Sequence, residues 1–308
     1  MPVAPFVRFF SRPFSQPTAV PLEMAPPQLA EVLKGAESVV ERNATHAVVR
    51  YRHNGQALIY KRFLPARGRY GSLPRRIRKS VDAIFHRFNH CQRHRRWFGP
   101  DSSRHEAHVL GRWRGEGVRT PEVLEVTDDL IVIRAAPGRT LEKCLKDDNA
   151  VEVATAFGKT FQSIRAVAIR HGDAGLLHTD PMPRNFIFDR SSGTVSAIDP
   201  GSPLKSVVEL EQIDGPLMLL AAYGIASVVD RSEALDDLLL AFFAAFPRPG
   251  REALQRLNRP VFPPSRVYQH LSRRWLLRMA GSGRISLRFD VATTDAIDRC
   301  LRQLADRE

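Results

Sequence analysis

Apolar and polar positions alternate between residues 37 and 63 with the period of two that a half-buried strand requires. Val48, Val49 and Tyr51 form one β-rich run and Ala57 to Phe63 a second. Between them, His53-Asn54-Gly55-Gln56 carries Asn-Gly, the turn signal of a tight hairpin, so Lys61 falls on the returning strand. Val123-Leu124-Glu125-Val126 and Leu130-Ile131-Val132-Ile133 are two more runs, joined by Thr127-Asp128-Asp129, and Pro137-Gly138 breaks the chain after them. Ser103-Arg104-His105-Glu106 reads as a capping box that opens a helix, with Glu106 reaching back to its first amide. From residue 140 onward the period becomes helical. Asn149 to Ile169 and Gly215 to Phe246 carry long apolar faces at helical spacing, and Phe186–Phe188 with Val195–Ile198 predict a short hairpin around Ser-Ser-Gly. Strands with one helix come first and a larger helical part follows. That order predicts an α+β chain of two unequal lobes with a cleft between them: a strand-rich N-lobe over 28–135 and a helical C-lobe over 136–308.

Composition narrows the class. A chain of 308 residues with 43% hydrophobic and 26% charged residues can bury a substantial core, which excludes disorder throughout. Residues 1–27 hold seven prolines and no acid before Glu23, and read as a flexible tail. The same prolines argue against the amphipathic helix of a transit peptide. The longest uncharged apolar stretch, Gly215 to Val229, is shorter than the roughly 20 residues of a membrane-spanning helix. Cys91, Cys144 and Cys300 are odd in number and form no CxxC, so a reducing, cytoplasmic compartment fits best.

Charge changes the picture more. The net charge is +13, and ten Lys and Arg between Leu64 and Pro100 face one acid, Asp82. Within this segment Leu73, Ile77, Val81, Ile84, Phe85 and Phe88 follow helical steps, with Arg75, Arg76, Arg78, Lys79 and Arg87 largely off that stripe. Such a basic amphipathic insertion suits the anionic inner face of a cell membrane, with Trp97 and Phe98 as interfacial anchors. Nucleic acid or a phosphorylated glycan is another partner of matching charge. Equally, the stripe can pack on the first lobe with its arginines solvated. His86, His90 and His94 lie four apart near Cys91, but without a matching carboxylate they read as solvent-facing rather than metal-binding.

The stretch that carries chemistry is His178-Thr179-Asp180-Pro181-Met182-Pro183-Arg184-Asn185, followed by the short hairpin and then Asp199-Pro200-Gly201. The hairpin sets Asn185 just before its first strand and Asp199 just after its second, so the two ends are neighbours in space. Asp180, Asn185 and Asp199 would then form an oxygen-rich pocket of the kind Mg²⁺ prefers. His171-Gly172-Asp173 imitates the same pattern, but no Asn stands five residues on.

Here the sequence resembles the protein-kinase-like superfamily. His178-x-Asp180-x4-Asn185 matches its catalytic loop and Asp199-Pro200-Gly201 its metal-binding D-x-G. The resemblance covers about residues 37–215 and implies a bilobal kinase-like fold that uses ATP and Mg²⁺. It implies Asp180 as the residue that orients or deprotonates the acceptor hydroxyl, Asn185 and Asp199 as metal ligands, and Lys61, paired with Glu106, on the nucleotide phosphates. His178 would be structural. Three features depart from the pattern. No glycine lies between Gly35 and Gly55, so Asn43-Ala44-Thr45-His46 would have to stand in for the glycine loop; Met182 follows Asp180 by two; and no A-P-E follows Gly201. These bring the chain nearer to lipopolysaccharide core sugar kinases, Bud32-type kinases and aminoglycoside phosphotransferases than to eukaryotic-type protein kinases. The implied acceptor is a sugar hydroxyl of a membrane-associated glycolipid. An atypical Bud32-like Ser/Thr kinase or ATPase, and a pseudokinase scaffold, are the alternatives.

Overall fold

The structure, a computed structural model, describes residues 36–42, 46–53, 56–63, 102–147, 149–204, 208–229, 232–248, 250, 251, 254 and 287–307. The tail 1–27, the basic segment 64–100 with its three histidines, and residues 43–45 of the expected phosphate turn lie outside the described residues. The α+β arrangement expected from the sequence is the one observed. Strands β1 (Ala36–Arg42), β2 (His46–His53), β3 (Gln56–Phe63), β4 (Val123–Val126) and β5 (Leu130–Arg134) make an antiparallel sheet in the order β1-β2-β3-β5-β4. Strands β2 and β3 pair as an antiparallel hairpin, with His53 opposite Gln56. Helix α1 (Ser103–Gly115) enters between β3 and β4.

The alternation along β3 divides the sheet's two faces. Ile59 and Phe63 pack into the main core, with Ile131 and Ile133 of β5, and Lys61 lies between them in sequence. Tyr60 goes to the other face with Val49, Leu130 and Val132. Burial of Tyr60 pushes its phenol up to about 12.

Helix α1 does not begin as the capping box predicts. Ser102 is the N-cap, extended at φ −144°, and its hydroxyl accepts from the His105 amide at 3.4 Å. The Ser103 hydroxyl instead donates to the Thr127 carbonyl at 2.5 Å, tying the helix to the β4–β5 turn. With the cap one residue earlier, Glu106 falls at the fourth helical position rather than the third.

After β5 come β6 (Arg139–Thr140), the single turn α2 (Leu141–Cys144) and the long α3 (Ala150–His171). Strands β7 (Phe186–Asp189) and β8 (Thr194–Ala197) form the short hairpin and pair with β6. Helices α4 (Leu210–Val228), α5 (Ser232–Phe243) and α6 (Leu287–Asp306) follow among the described residues. The apolar stretch read as starting at Gly215 is thus two helices, and α4 runs through Gly215-Pro216. Pro216 removes one helical hydrogen bond, but α4 is buried on most sides by Leu217, Met218, Ala221, Ala222 and Ile225, which hold it helical. Helices α3 and α5 interlock through Phe157, Phe161 and Phe242, and Phe246, just beyond α5, joins the cluster. Gly158 permits their close approach, since a Cβ there would stand 2.4 Å from the Phe242 carbonyl oxygen.

An ion pair between the buried Arg165 and the half-buried Asp214 joins α3 to α4. Arg165 donates from Nε and Nη2 to the two oxygens of Asp214 at 2.6 and 2.5 Å, and from Nη1 to Gln162 at 2.5 Å, with Phe246 against its guanidinium. Removing one partner of such a pair strands the other charge, which costs about 3–5 kcal/mol, whereas replacing both by apolar residues costs far less. Asp214→Ala is therefore expected to lower the urea midpoint sharply, and Arg165→Met with Asp214→Leu to restore most of it. Unfolding curves of the three proteins check this.

Candidate functional site

Lys61 stands where the sheet, α1 and the segment after β8 meet. Its ammonium donates to Glu106 Oε2 at 2.7 Å and lies 3.0 Å from Asp199 Oδ1. Both Lys61 and Glu106 are buried. Burial alone would push the lysine down, but the two carboxylates and their hydrogen bonds outweigh it and hold the ammonium charged, above its ordinary range. The Phe63 ring lies 5.1 Å from the same ammonium.

Two loops of the helical part are laced together beneath this point. The Thr179 amide donates to Pro200 O at 2.8 Å and its hydroxyl to Ser202 O at 2.8 Å; the Ile198 amide donates to Asn185 O at 3.0 Å. Gly201, at φ +87°, lets the strands of this lacing touch: a Cβ would lie 2.4 Å from Thr179 Oγ1. Asp199 itself is left-handed at φ +45°, a conformation that costs a non-glycine residue about 1–2 kcal/mol. The ion pair with Lys61 opposes that cost.

His178 is the internal pin. Its ring is fully buried, stacked between Trp113 of α1 (5.5 Å between ring centroids) and Phe186 of β7 (4.7 Å). Its Nε2 meets the Ile198 carbonyl at 3.1 Å, so that nitrogen carries the proton and donates. The Trp113 indole donates to Leu176 O at 2.7 Å, which fastens α1 to the chain just before the loop. The imidazole thus fixes both loops and reaches no solvent.

Asp180 and Asn185 are coupled at the loop's open side. The Asn185 amide nitrogen donates to the Asp180 backbone oxygen at 2.8 Å and to its Oδ2 at 2.9 Å. That turns the Asn185 amide oxygen away from Asp180. Arg184 also donates to Oδ2, at 2.8 Å. Prolines 181 and 183 and the 3-10 turn Pro183–Asn185, with the Asn185 amide on Met182 O at 2.8 Å, hold the backbone in place. The structure therefore gathers all five residues singled out in the sequence: Lys61, Glu106 and Asp199 in direct contact, Asp180 and Asn185 in direct contact, and the two sets joined by the Ile198–Asn185 and Thr179–Pro200 backbone bonds. Trp113, Thr179 and Arg184 were not singled out. Arg184 lay inside the motif as a variable position; Trp113 carries no local signal, because its partners are 63 and 65 residues away.

Among the described residues no group of three or more His, Cys, Asp or Glu could hold a metal by itself. The oxygens of Asn185 and Asp199 fit a cation that takes part of its coordination from water and phosphate, as Mg²⁺ does. No described helix is long and apolar enough to cross a membrane.

No family model matches the chain. A probable bifunctional tRNA threonylcarbamoyladenosine biosynthesis protein from Methanospirillum hungatei is 33% identical over 87 residues, 28% of this chain and 16% of that protein's length. Similar solved structures include WaaP in complex with acyl carrier protein (16% identity, 73% of this chain and 85% of that one, TM-score 0.42). Others are the PknI kinase domain of Mycobacterium tuberculosis (15%, 72% and 93%, 0.39) and a choline/ethanolamine kinase family protein from Mesorhizobium loti (15%, 91% and 91%, 0.42).

The burial of His178 has a measurable consequence. It drops the imidazole from 6.5 to about 4. Between those values the unfolded chain takes up a proton that the folded chain refuses, so stability falls as pH drops from 6.5 toward 4. The loss approaches about 3 kcal/mol. His178→Phe keeps a ring in the stack and removes the proton site. Its urea midpoint should fall less than the wild type's over that interval, as paired denaturation curves at pH 7, 5.5 and 4.5 would register.

Proposed function

We propose that this chain is a kinase-type phosphotransferase that moves the γ-phosphoryl group of ATP to a hydroxyl, with a sugar of a membrane-associated glycolipid as acceptor. The observation that carries the reading is the convergence on one point of Lys61 from β3, Glu106 from α1 and Asp199 from the segment after β8. A buried ammonium held charged between two carboxylates is suited to nucleotide phosphates, and phosphoryl transfer asks mainly for positioning and charge neutralisation. In this reading Glu106 keeps Lys61 aimed, and Lys61 meets the α- and β-phosphates. Asn185 and Asp199 hold Mg²⁺, which when bound neutralises phosphate charge. Asp180 accepts the acceptor's proton. The acceptor class rests on the basic segment 64–100, whose charge suits an anionic membrane surface and its phosphorylated glycans. A place at the inner face of the cell membrane follows.

A second acceptor class has its own support. The Methanospirillum protein's name ties it to tRNA threonylcarbamoyladenosine biosynthesis, and the same basic charge suits RNA or an RNA-bound protein. The absence of glycine between Gly35 and Gly55 favours a third reading, a scaffold that does not turn ATP over.

The test is transfer of γ-labelled phosphate from MgATP to a lipopolysaccharide preparation, to bulk tRNA and to casein in parallel. Label in the glycolipid is expected. Asp180→Asn should lower the rate about 10²–10⁴-fold with the fold intact. Asp199→Asn should also lose the Mg²⁺-dependent thermal shift with ATP. Wild-type turnover in both variants would overturn the assignment, and no thermal shift in the wild type at saturating MgATP would favour the scaffold.

A further inference from the structure

Gly224 sits inside α4, four residues before its end at Val228, and is buried. In such a place glycine weakens a helix relative to alanine, since it packs nothing and has more freedom to lose on folding. What it supplies is room. A Cβ at 224 would stand 2.6 Å from Pro183 Cδ, 3.5 Å from its Cγ and 3.4 Å from Met182 Sδ. The thioether can swing aside; a proline ring cannot. Pro183 is itself buried and opens the 3-10 turn that ends at Asn185. The Asn185 amide nitrogen holds Asp180 by its backbone oxygen and by Oδ2, at 2.8 and 2.9 Å, and the Asn185 carbonyl accepts from the Ile198 amide, one residue before Asp199. Helix α4 cannot give way, because Ala221, Ala222, Ile225 and Ala226 lock it into the core, whereas the turn has an open side on which Arg184 is exposed.

We propose that Gly224 is a positioning residue for phosphoryl transfer: the Cβ it lacks sets how deeply the Pro183–Asn185 turn seats on α4, and so where Asn185 presents the Asp180 carboxylate. This rests on the phosphotransferase reading above. An alanine at 224 would drive the turn outward by about 1 Å, to reach the roughly 3.5 Å of ordinary carbon contact. Asn185 and Asp180 travel with the turn. Lys61 and Glu106 do not, since they are paired with each other on β3 and α1. Nucleotide binding and acceptor activation are thus separable. The phosphates keep their lysine, while the carboxylate that takes the acceptor's proton leaves its line. A misplacement of that size costs about 10²-fold in rate.

The test compares wild type, Gly224→Ala, Pro183→Ala and the double variant. ADP formation from MgATP is followed in the presence of a lipopolysaccharide preparation, bulk tRNA and casein together, so that the readout does not depend on the acceptor. Gly224→Ala should lower kcat by about 10- to 100-fold and leave KM for ATP within about threefold. Its thermal midpoint should stay near the wild type's, because the gain in helix propensity opposes the strain. Pro183→Ala removes the ring atoms that the new Cβ meets. Adding Gly224→Ala to that variant should cost less than about threefold, a non-additivity expected of residues in direct contact and not of a general loosening of the core. Four outcomes would overturn this inference alone: full turnover in Gly224→Ala, a loss carried by KM, equal losses on the two backgrounds, or collapse of the Gly224→Ala fold, which would assign the glycine to the core and not to the loop. A wild type that forms no ADP would overturn the phosphotransferase reading and this inference with it.

Discussion

A lysine ammonium buried to 5% exposure cannot stand alone, because the desolvation of an unpaired charge is prohibitive. Lys61 therefore requires Glu106 and Asp199, and this requirement organises the chain around it. It sets the rotation of α1 against β3, since Glu106 must face the sheet. It also holds the left-handed Asp199 against β3, although that residue belongs to the helical part of the chain. One side chain thus relates three elements spread over 138 sequence positions. The rest of the site is built from much closer neighbours in sequence.

Those neighbours gain their rigidity from backbone more than from side chains. The amides of Thr179 and Ile198, bonded to the carbonyls of Pro200 and Asn185, fix the loops through groups every residue possesses. Side-chain identity matters at few places: the Thr179 hydroxyl, which reaches Ser202 O, Gly201, where a Cβ has no room, and the prolines that limit the turn. His178 closes the arrangement from inside. Its neutral ring serves as a flat apolar wedge with one donor, a task for which its low proton affinity is an asset.

Much of this was legible in the sequence where the signal is local. The hairpin at Asn54-Gly55 and the two β runs at 123–134 declared themselves by alternation, and Asp180, Asn185 and Asp199 by spacing. Glu106 was harder. Its position after two serines and a basic pair looked like a helix cap, and only the tertiary pull of Thr127 on the Ser103 hydroxyl moves the cap to Ser102 and leaves Glu106 facing Lys61. Trp113 and Thr179 were invisible because their roles lie in contacts with distant backbone carbonyls, which no periodicity encodes. The end of α4 had a local signal, since the apolar run that ends at Val229 gives way to Asp230-Arg231-Ser232-Glu233, and the reading of Gly215 to Phe246 as one apolar stretch passed over it.

Trp113 gives the molecule an optical property. Its indole is fully buried, hydrogen-bonded to Leu176 and in ring contact with His178, which holds the carbonyl just before Asp199. An indole in a dry, fixed setting emits at shorter wavelength than one in water, and its emission responds to the imidazole beside it. Of the chain's three tryptophans, this one sits a single side chain away from the loop it supports. The protein thus carries an intrinsic fluorophore at the joint between α1 and that loop, and loosening of the joint becomes a change of colour and intensity.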